Sequence, residues 1–485
     1  MNLDQLVEQA VAPLAEALAA FVFFEIPLFG GQWPFVVLWC IAGAVFFTVI
    51  HRGINLRGIP LAIRVLRGEF DVEDAPGELS HGQALATALS GTVGIGNIGG
   101  VAVAIAAGGP GATLWMIVAG FLGMATKYAE CTLGVRYRRE NADGSVSGGP
   151  MYYLRRGFEE RGYPRLGAFL GHFYAVGIVI GCLGIGNMFQ SNQAYEQFVF
   201  VTGGPESWFV GKGWLFGLVL ALGVASVIIG GVRVIARVTV RLVPLMGTLY
   251  VVGALGVIFM NSGHIPGALM AILNGAMSPE GVAGGVVGTM VIGFQRAVFS
   301  NEAGIGSASI AHAAVKTDRP ATEGLVALFG PFVDTVIICT LTALVIGVTA
   351  QADGTFLTQT AFEGVGMTSE AFRRAVSWSP YPLAFAALLF AFSTALAWSY
   401  YGLKGWTSLL GEGKRTETVF NLIFCGFVAL GATIQLKSVL DFSDAMVFVL
   451  CVPNVLGLVL LTPVVKEELR LFLERVRKVD SSSPR

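Results

Sequence analysis

Apolar residues recur along this chain in runs of about 20, and short polar or charged segments separate the runs. A helix of that length crosses the hydrocarbon core of a bilayer while it satisfies its own backbone donors and acceptors. The pattern therefore predicts an all-α polytopic membrane protein with 11 transmembrane helices. The predicted spans lie near residues 33–51, 84–106, 112–134, 168–190, 214–232, 241–261, 282–312, 324–349, 381–402, 418–436 and 444–465.

The N-terminal segment 1–32 is less regular, because Glu16 and Glu25 interrupt an apolar stretch at 9–29. We expect an interfacial amphipathic helix there rather than a twelfth span. A signal peptide is disfavoured, because the first ten residues carry Asp4 and Glu8 and no basic residue.

Composition supports a lipid-embedded chain. Of the 485 residues 54% are apolar and only 13% are charged, whereas charge makes up about 25% of a soluble protein. This balance excludes a nucleic-acid binder, a secreted disulfide scaffold and a disordered chain. The 64 glycines, about twice the usual share, need a separate reason because glycine is a poor helix former.

Basic residues predict the orientation. With the first span running from outside to inside, 25 of the 31 Lys and Arg residues lie in cytoplasmic segments, four lie outside, and Lys127 and Arg296 lie within spans. The asymmetry predicts an N-terminus outside and a cytoplasmic C-terminus. Lys127 and Glu130 stand at i, i+3 near the predicted cytoplasmic end of their span, so we expect a snorkelling local pair.

Two predicted spans contain backbone that is unsuited to a continuous helix. Residues 90–100 include five glycines, and residues 299–307 place a Ser-Asn-Glu sequence at membrane depth. Both segments contain Gly-Ile-Gly, with an offset of 210 residues. That offset predicts two inverted five-helix repeats at 84–261 and 282–465, after an extra first span at 33–51 and before a cytoplasmic tail at 466–485.

Paired interruptions of this kind are typical of secondary transporters that bind their substrate at the bilayer midplane. An interrupted helix exposes N–H groups on one side of the break and C=O groups on the other, and these solvate a carboxylate and a small cation. Glycines that only allow close helix packing are the alternative. Because two matching glycine clusters occur, each with polar neighbours, we favour a binding site over simple helix packing.

Other polar residues could line the same cavity. Ser393 and Thr394 offer adjacent hydroxyls suited to a hard cation, although a hydrogen bond one helical turn back is the alternative. Trp398 lies on the same helical face as Thr394 and could wall the pocket or simply pack. Gln190 is preferred to the neighbouring amides Asn187 and Asn192. It lies three residues after Asn187 on the helix and deeper in the membrane than Asn192.

Charged residues within spans are functional candidates. Arg296 and Glu302 flank the second break, so we expect a gating or structural ion pair there and no direct contact with substrate. Asp334 is a candidate proton or cation site. The six cysteines and five histidines show no metal-ligand spacing, and no phosphate loop or nucleophile elbow is present. We therefore expect no catalytic residues, no enzyme activity and no cofactor.

At these residues the chain resembles the alanine/glycine:cation symporter family, also called sodium:alanine symporters. The resemblance extends from about residue 40 to 465 and implies a LeuT-like fold with one extra span in front. The matching stretches are Thr92–Val101, Gly108–Met116, Thr126–Glu130, Gly148–Tyr153, Phe299–Gly304 and Ser393–Tyr401.

The resemblance also implies a function and a set of site residues. It implies import of alanine or glycine by Na+-coupled alternating access across the plasma membrane, or across the inner membrane if the organism is a Gram-negative bacterium. The lipid bilayer is then the only further partner, with no nucleic acid and no obligatory protein. The implied substrate contacts are Thr92, Gly94, Gly96, Asn97, Gln190, Phe299, Ser300, Asn301 and Trp398, and the implied Na+ ligands are Thr92, Ile95, Ser393 and Thr394.

Three alternatives stay open at this point. Coupling to H+ would make Asp334 or Glu302 the residue of interest. An ion channel could use glycine-rich carbonyl rings, but such channels usually need oligomeric symmetry rather than two breaks in one chain. A membrane enzyme lacks a paired nucleophile and base at membrane depth.

Overall fold

The computed structural model describes residues 3–28, 31–72, 74–141, 144–278, 285–359 and 363–482. These residues fold mainly into α-helices, as the apolar pattern predicts, and each predicted span is helical over most of its described length. Short strands form two antiparallel hairpins, β1 (Glu25–Leu28) with β2 (Gly31–Pro34), and β3 (Arg139–Glu140) with β4 (Val146–Ser147).

The helices follow one another with short connections. The first twelve are α1 (Leu3–Val22), α2 (Phe35–Ile50), α3 (Ile54–Arg57), α4 (Ile59–Leu66), α5 (His81–Thr92), α6 (Gly99–Gly108), α7 (Ala112–Arg136), α8 (Pro150–Glu160), α9 (Pro164–Leu183), α10 (Phe189–Val201), α11 (Gly213–Ile228) and α12 (Gly231–Met260). The others are α13 (Ile265–Met277), α14 (Gly285–Asn301), α15 (Ala308–His312), α16 (Pro320–Ala327), α17 (Phe329–Pro331), α18 (Thr340–Ala352), α19 (Phe356–Gln359), α20 (Val365–Ala375), α21 (Pro380–Leu410), α22 (Lys414–Gly431) and α23 (Leu436–Ser482).

Non-α turns interrupt several of these helices. Short 3₁₀ turns cover Ile95–Asn97, Gly204–Glu206 and Ser262–His264. Two π-helical segments, Gly184–Met188 between α9 and α10 and Phe332–Cys339 between α17 and α18, lie within otherwise continuous helices. Such π segments are frequent at functional sites. Phe332–Cys339 contacts the first break described below, and Gly184–Met188 is joined to it through Gln190.

Within the described residues, six helices are long and apolar enough to cross a membrane, and eight are if each of two bent pairs is one span. The bent pairs are α2 with α3–α4, at 63°, and α5 with the helix beyond the first break, at 57°. The other predicted spans coincide with shorter helices. The chain is therefore a multi-pass membrane protein, and the number 11 and the inverted repeats stay predictions.

The structure at the two ends of the chain differs in part from the sequence-based prediction. The N-terminal segment forms α1 as expected, but the β1–β2 hairpin that follows it was not predicted. Glu8 on α1 accepts hydrogen bonds from Gln435 N, at 2.9 Å, and from Ser438 Oγ, at 2.5 Å, so α1 packs at the start of α23. The segment 466–485 is not a separate tail over its described part, because α23 continues without a break to Ser482.

Much of the glycine excess serves close helix packing. A Cβ on Gly217 of α11 would lie 2.4 Å from Ala429 O of α22, and one on Gly213 would lie 2.0 Å from Ala432 O. Likewise a Cβ on Gly431 would lie 2.5 Å from the backbone of Met188. In a membrane, helices associate through van der Waals packing rather than through the hydrophobic effect, and small residues allow the close backbone approach that this packing needs.

Candidate functional site

The first break separates α5 from α6. The helix α5 ends at Thr92, the 3₁₀ turn Ile95–Asn97 follows, and α6 begins at Gly99. The Asn97 side chain closes the turn, because its Oδ1 accepts from Gly94 N at 2.8 Å. The interruption predicted from the glycine cluster is confirmed.

The second break separates α14, which ends at Asn301, from α15, which begins at Ala308. Glycine is required here, because Gly304 and Gly306 have φ angles of +97° and +90°. Glu302, which is not a glycine, also has a positive φ of +59°. The Asn301 Oδ1 accepts from Ala303 N at 2.9 Å and holds the start of the turn.

Gln190 joins α10 to the first break. Its Oε1 accepts from Ile95 N at 3.1 Å, and its Nε2 donates to Ile185 O at 2.9 Å in the π-helical segment. The structure therefore places Gln190 at the first break, and its role toward a substrate stays a prediction. The Asn187 and Asn192 amides point elsewhere, toward the carbonyls of Phe424 and Ile434.

The helix α21 contacts the end of α5 through one face, as its spacing predicts. Thr394 Oγ1 donates to Ser90 O at 2.9 Å, and Trp398 Nε1 lies 3.3 Å from Gly91 O. A Cβ on Gly94 would lie 2.6 Å from Thr394 Oγ1, so glycine allows this approach. The Ser393 hydroxyl donates instead to Phe390 O within its own helix.

Asp334 collects hydrogen bonds from both halves of the molecule. Its Oδ1 accepts from Asn97 Nδ2 at 2.6 Å, and its Oδ2 accepts from Ser300 Oγ at 2.9 Å and Thr335 Oγ1 at 2.7 Å. The Asn301 amide in turn donates to Thr335 Oγ1 at 2.9 Å. The carboxylate is fully buried. Residues of both breaks therefore meet on one π-helical segment.

Gly96 and Gly100 leave room for a small group beside the first break. A Cβ on Gly96 would meet only the Phe299 ring, at 3.8 Å, and one on Gly100 would meet nothing within 4 Å. The Phe299 ring packs edge-on against Phe189 at 5.1 Å between centroids. Thr92 is buried beside this space at the end of α5, and its hydroxyl bonds within its helix. The predicted residues are thus gathered around both breaks, while Ser393 Oγ lies 3.2 Å from Met246 Sδ on the α12 side.

The expected ion pair between Arg296 and Glu302 is wrong. Arg296 pairs with the buried Asp444 on α23, while the Glu302 carboxylate accepts from Trp398 Nε1 at 2.9 Å and from Ser307 Oγ. Glu302 lies just beyond the end of α14 and has a positive φ, so its side chain does not continue the helical face that carries Arg296. Sequence spacing alone does not reveal such a turn.

The expected snorkelling pair is also wrong. Lys127 and Glu130 are 1% and 0% exposed and make no ion pair with each other among the described residues. Lys127 Nζ donates to Glu302 O at 3.3 Å, and Glu130 Oε1 accepts from Gly304 N at 2.8 Å. Both therefore support the second break. The sequence of α7 around them contains many small residues, such as Gly123. These residues could have predicted that this part of the helix is packed against other helices rather than exposed at the membrane surface.

One cavity leads toward the first break from the side that the charge pattern predicts to be extracellular. This outer cavity has a volume of about 680 Å³, and Gln193, Glu196, Gly366 and Thr433 are among its lining residues. Gln193 Oε1 accepts from Val365 N at 2.9 Å. The same oxygen would lie 2.8 Å from a Cβ on Gly99. Gln193 therefore separates the cavity from the break.

The opposite end is closed by a short strand-like contact. Leu79, just before α5, pairs in parallel with Val315, and Leu79 N donates to Ala314 O at 3.0 Å. The Glu323 carboxylate bridges the rings of His81 and His312 beside this contact. No signal in the sequence pointed to this closure, because its residues are far apart in the chain.

Comparisons with known proteins agree with this geometry. Residues 22–484 match the sodium:alanine symporter family. The chain is 36% identical over 452 residues to the sodium/alanine symporter AgcS of Methanococcus maripaludis, which covers 93% of this chain and 96% of that protein. It is 32% identical over 436 residues to the amino-acid carrier protein AlsT of Bacillus subtilis, with 89% and 88% covered.

Among solved structures, that of MhsT in complex with L-phenylalanine has a TM-score of 0.55 and 14% identity to this chain. The match covers 81% of this chain and 99% of MhsT. At 14% identity this similarity shows only a shared fold, the LeuT-like fold.

Proposed function

Because the chain belongs to the sodium:alanine symporter family, we propose that it imports a small neutral amino acid, alanine or glycine, together with Na+ by alternating access. The observation that carries this proposal is the meeting of the two helix breaks, which brings free backbone N–H and C=O groups together with the room beside Gly96 and Gly100. A transporter of zwitterions needs such groups, because free N–H and C=O ends solvate both charges of the substrate without a buried formal charge.

The substrate site proposed here lies between Gly96 and Phe299. The space beside Gly96 and Gly100 suits a methyl group or a hydrogen atom better than a long side chain. Asn97 and Gln190, which already hold the turn of the first break, are the side chains placed to respond to the substrate. A pocket of this kind selects by size, and one excess methylene costs about 1–3 kcal/mol.

The Na+ site proposed here lies between α5 and α21. It combines the Thr394 hydroxyl, which lies against Gly94, with backbone oxygens near Thr92 and Ile95. The Ser393 hydroxyl, which bonds to Phe390 O and lies toward Met246, is left out of this site. Oxygen ligands of this type suit a hard cation. Thr394 is the member that the packing brings nearest to the break.

The surroundings of Asp334 favour a second candidate for the coupling ion, which is H+. Its buried carboxylate has three side-chain donors, and among the described residues no Lys, Arg or His lies within ion-pair distance of it. A buried carboxylate without a basic partner is costly unless a cation or a proton neutralises it. Coupling to H+, alone or with Na+, is therefore the second candidate.

Alternating access requires that the site open to one side at a time. We assign the outer route to the cavity that Gln193 closes and the inner route to the contact between Leu79 and Val315. With the N-terminus outside, as the basic residues predict, the outer route faces the exterior of a bacterial plasma or inner membrane.

Uptake by the purified protein in proteoliposomes tests the proposal. We expect labelled alanine to accumulate when Na+ is higher outside, with unlabelled alanine or glycine competing and a Na+-free gradient giving no accumulation. Uptake driven by a pH gradient without Na+ would support H+ coupling instead. Ion current that needs no amino acid would indicate a channel and contradict the symporter.

A further inference from the structure

A separate cleft opens where the spans end, between the turn after α2 and the distal half of α23. Its volume is about 530 Å³, and His51, Arg52, Arg57 and Lys466 are among its lining residues. Both walls change from apolar to charged at the same level. The apolar helix α2 gives way to Arg52, and the apolar stretch of α23 gives way to Lys466.

The basic side chains of this cleft carry uncompensated charge. Arg52, Arg57 and Lys466 are exposed and take part in no ion pair among the described residues. Arg470, on the same wall, is matched by Glu467 and Glu474 on its own helix. The cleft therefore presents three free cations to a ligand.

A buried histidine lies at the inner side of the cleft. His51 is 5% exposed, and neither of its ring nitrogens has a hydrogen-bond partner within the described part of the chain. Its ring is held between Phe47, at 6.4 Å, and the edge-on Tyr128, at 5.4 Å between centroids. A buried polar group normally has a partner, so an unpartnered ring in the lining of a cavity points to a ligand.

Apolar side chains complete the lining. Ile54 and Leu61 contribute from α3 and α4, and Leu469 and Leu473 contribute from α23. A small inorganic anion would make no favourable contact with these apolar side chains. An anionic head group with an attached glycerol and acyl chain matches both the charged and the apolar parts.

We propose that this cleft binds the head group of an anionic phospholipid, with its phosphate near the three free cations and His51. Basic residues are common on the cytoplasmic side of membrane proteins, but that tendency does not bring them into one cleft with a buried, unpartnered ring. Basic pockets between helices at this level bind anionic lipid head groups. The proposal is independent of the transported substrate.

Native mass spectrometry of the full chain in a neutral detergent tests the site. Dioleoyl phosphatidylglycerol is titrated against dioleoyl phosphatidylcholine, with inorganic phosphate as a competitor. The triple variant Arg52→Gln, Arg57→Gln, Lys466→Gln should bind phosphatidylglycerol at least about tenfold more weakly. The matched control is Arg161→Gln, Arg165→Gln, Arg415→Gln, which removes three exposed basic residues outside the cleft.

The expected result is selective loss in the cleft variant, with the control close to wild type and phosphatidylcholine unaffected. His51→Phe keeps the ring packing and should weaken phosphatidylglycerol binding severalfold without loss of folding. Equal loss in the control, or wild-type binding in the triple variant, would overturn the proposal. Displacement of the lipid by millimolar inorganic phosphate would show a free-anion site and would also overturn it.

Discussion

Trp398 and Glu302 are joined by a hydrogen bond of 2.9 Å from the indole Nε1 to the carboxylate Oε1. The same indole N–H lies 3.3 Å from Gly91 O at the end of α5. One side chain of α21 therefore touches the ends of both interrupted spans. Movement of α5 away from the second break has to separate the indole from one of these acceptors.

Replacement of Glu302 tests this link. Glu302→Ala removes the carboxylate that accepts from both Trp398 Nε1 and Ser307 Oγ. The indole keeps only the longer bond to Gly91 O, and a buried donor left unsatisfied, as at Ser307, costs about 1–3 kcal/mol. We expect a lower thermal unfolding temperature and uptake reduced about tenfold. Glu302→Gln keeps an acceptor oxygen and should retain more activity. The exposed Glu159→Gln is the control, and equal activity of the Ala and Gln variants would contradict the role of the bond.

The packing of Trp398 can be tested from the other side of its ring. A Cβ on Gly186 would lie 1.9 Å from Trp398 Cγ, so Gly186→Ala must displace the ring or the π-helical segment. Overpacking of this kind costs about 1–3 kcal/mol. We expect reduced stability in detergent and loss of uptake. Gly247→Ala in α12, where a Cβ meets nothing within 4 Å, should be neutral or slightly stabilising.

The Asp334 carboxylate should be sensitive to loss of charge. Asp334→Asn keeps the volume but places an amide group among the donors Asn97, Ser300 and Thr335. Charge-assisted hydrogen bonds contribute about 1.5–3 kcal/mol, so we expect uptake reduced at least about tenfold, with protein still inserted in the membrane. Asn97→Ala should have a similar effect. Wild-type transport in Asp334→Asn would remove Asp334 from coupling, and Asp441→Asn is the control.

Thr394 should affect the response to Na+ rather than insertion. Thr394→Ala removes the hydroxyl that lies against the first break, and we expect the Na+ concentration for half-maximal uptake to rise about tenfold. Thr394→Ser restores a hydroxyl and should recover most of the response. Thr418→Ala is the control, because it removes a hydroxyl that, within the described part of the chain, bonds to Lys414 O of its own helix. An unchanged Na+ response in Thr394→Ala would show that the ion binds elsewhere.

The inner closure can be locked covalently. Leu79 and Val315 are paired like neighbours in a parallel sheet, at a spacing of about 5 Å that a disulfide spans. The double variant Leu79→Cys, Val315→Cys should lose transport after oxidation and regain it after reduction. The single variants, oxidised in the same way, should continue to transport. Unchanged transport by the cross-linked protein would show that this contact does not open.

Sequence reasoning identified the two interrupted spans correctly because glycine acts through local backbone geometry. Gly304 and Gly306 need a positive φ whatever surrounds them. Gln190 lies at the first break, while its role toward a substrate stays a prediction. The reasoning failed for Arg296, Glu302 and the pair Lys127 and Glu130, because a buried charge takes its partner from another helix.

The sequence by itself determined the membrane-spanning character, the positions of the breaks and the family. Each of these follows from local composition or from motifs within one segment. Only the tertiary structure decided that Asp334 gathers donors from both breaks, that Arg296 pairs with Asp444, and that Leu79 closes on Val315. These contacts join residues tens to hundreds of positions apart, so they depend on how the helices pack.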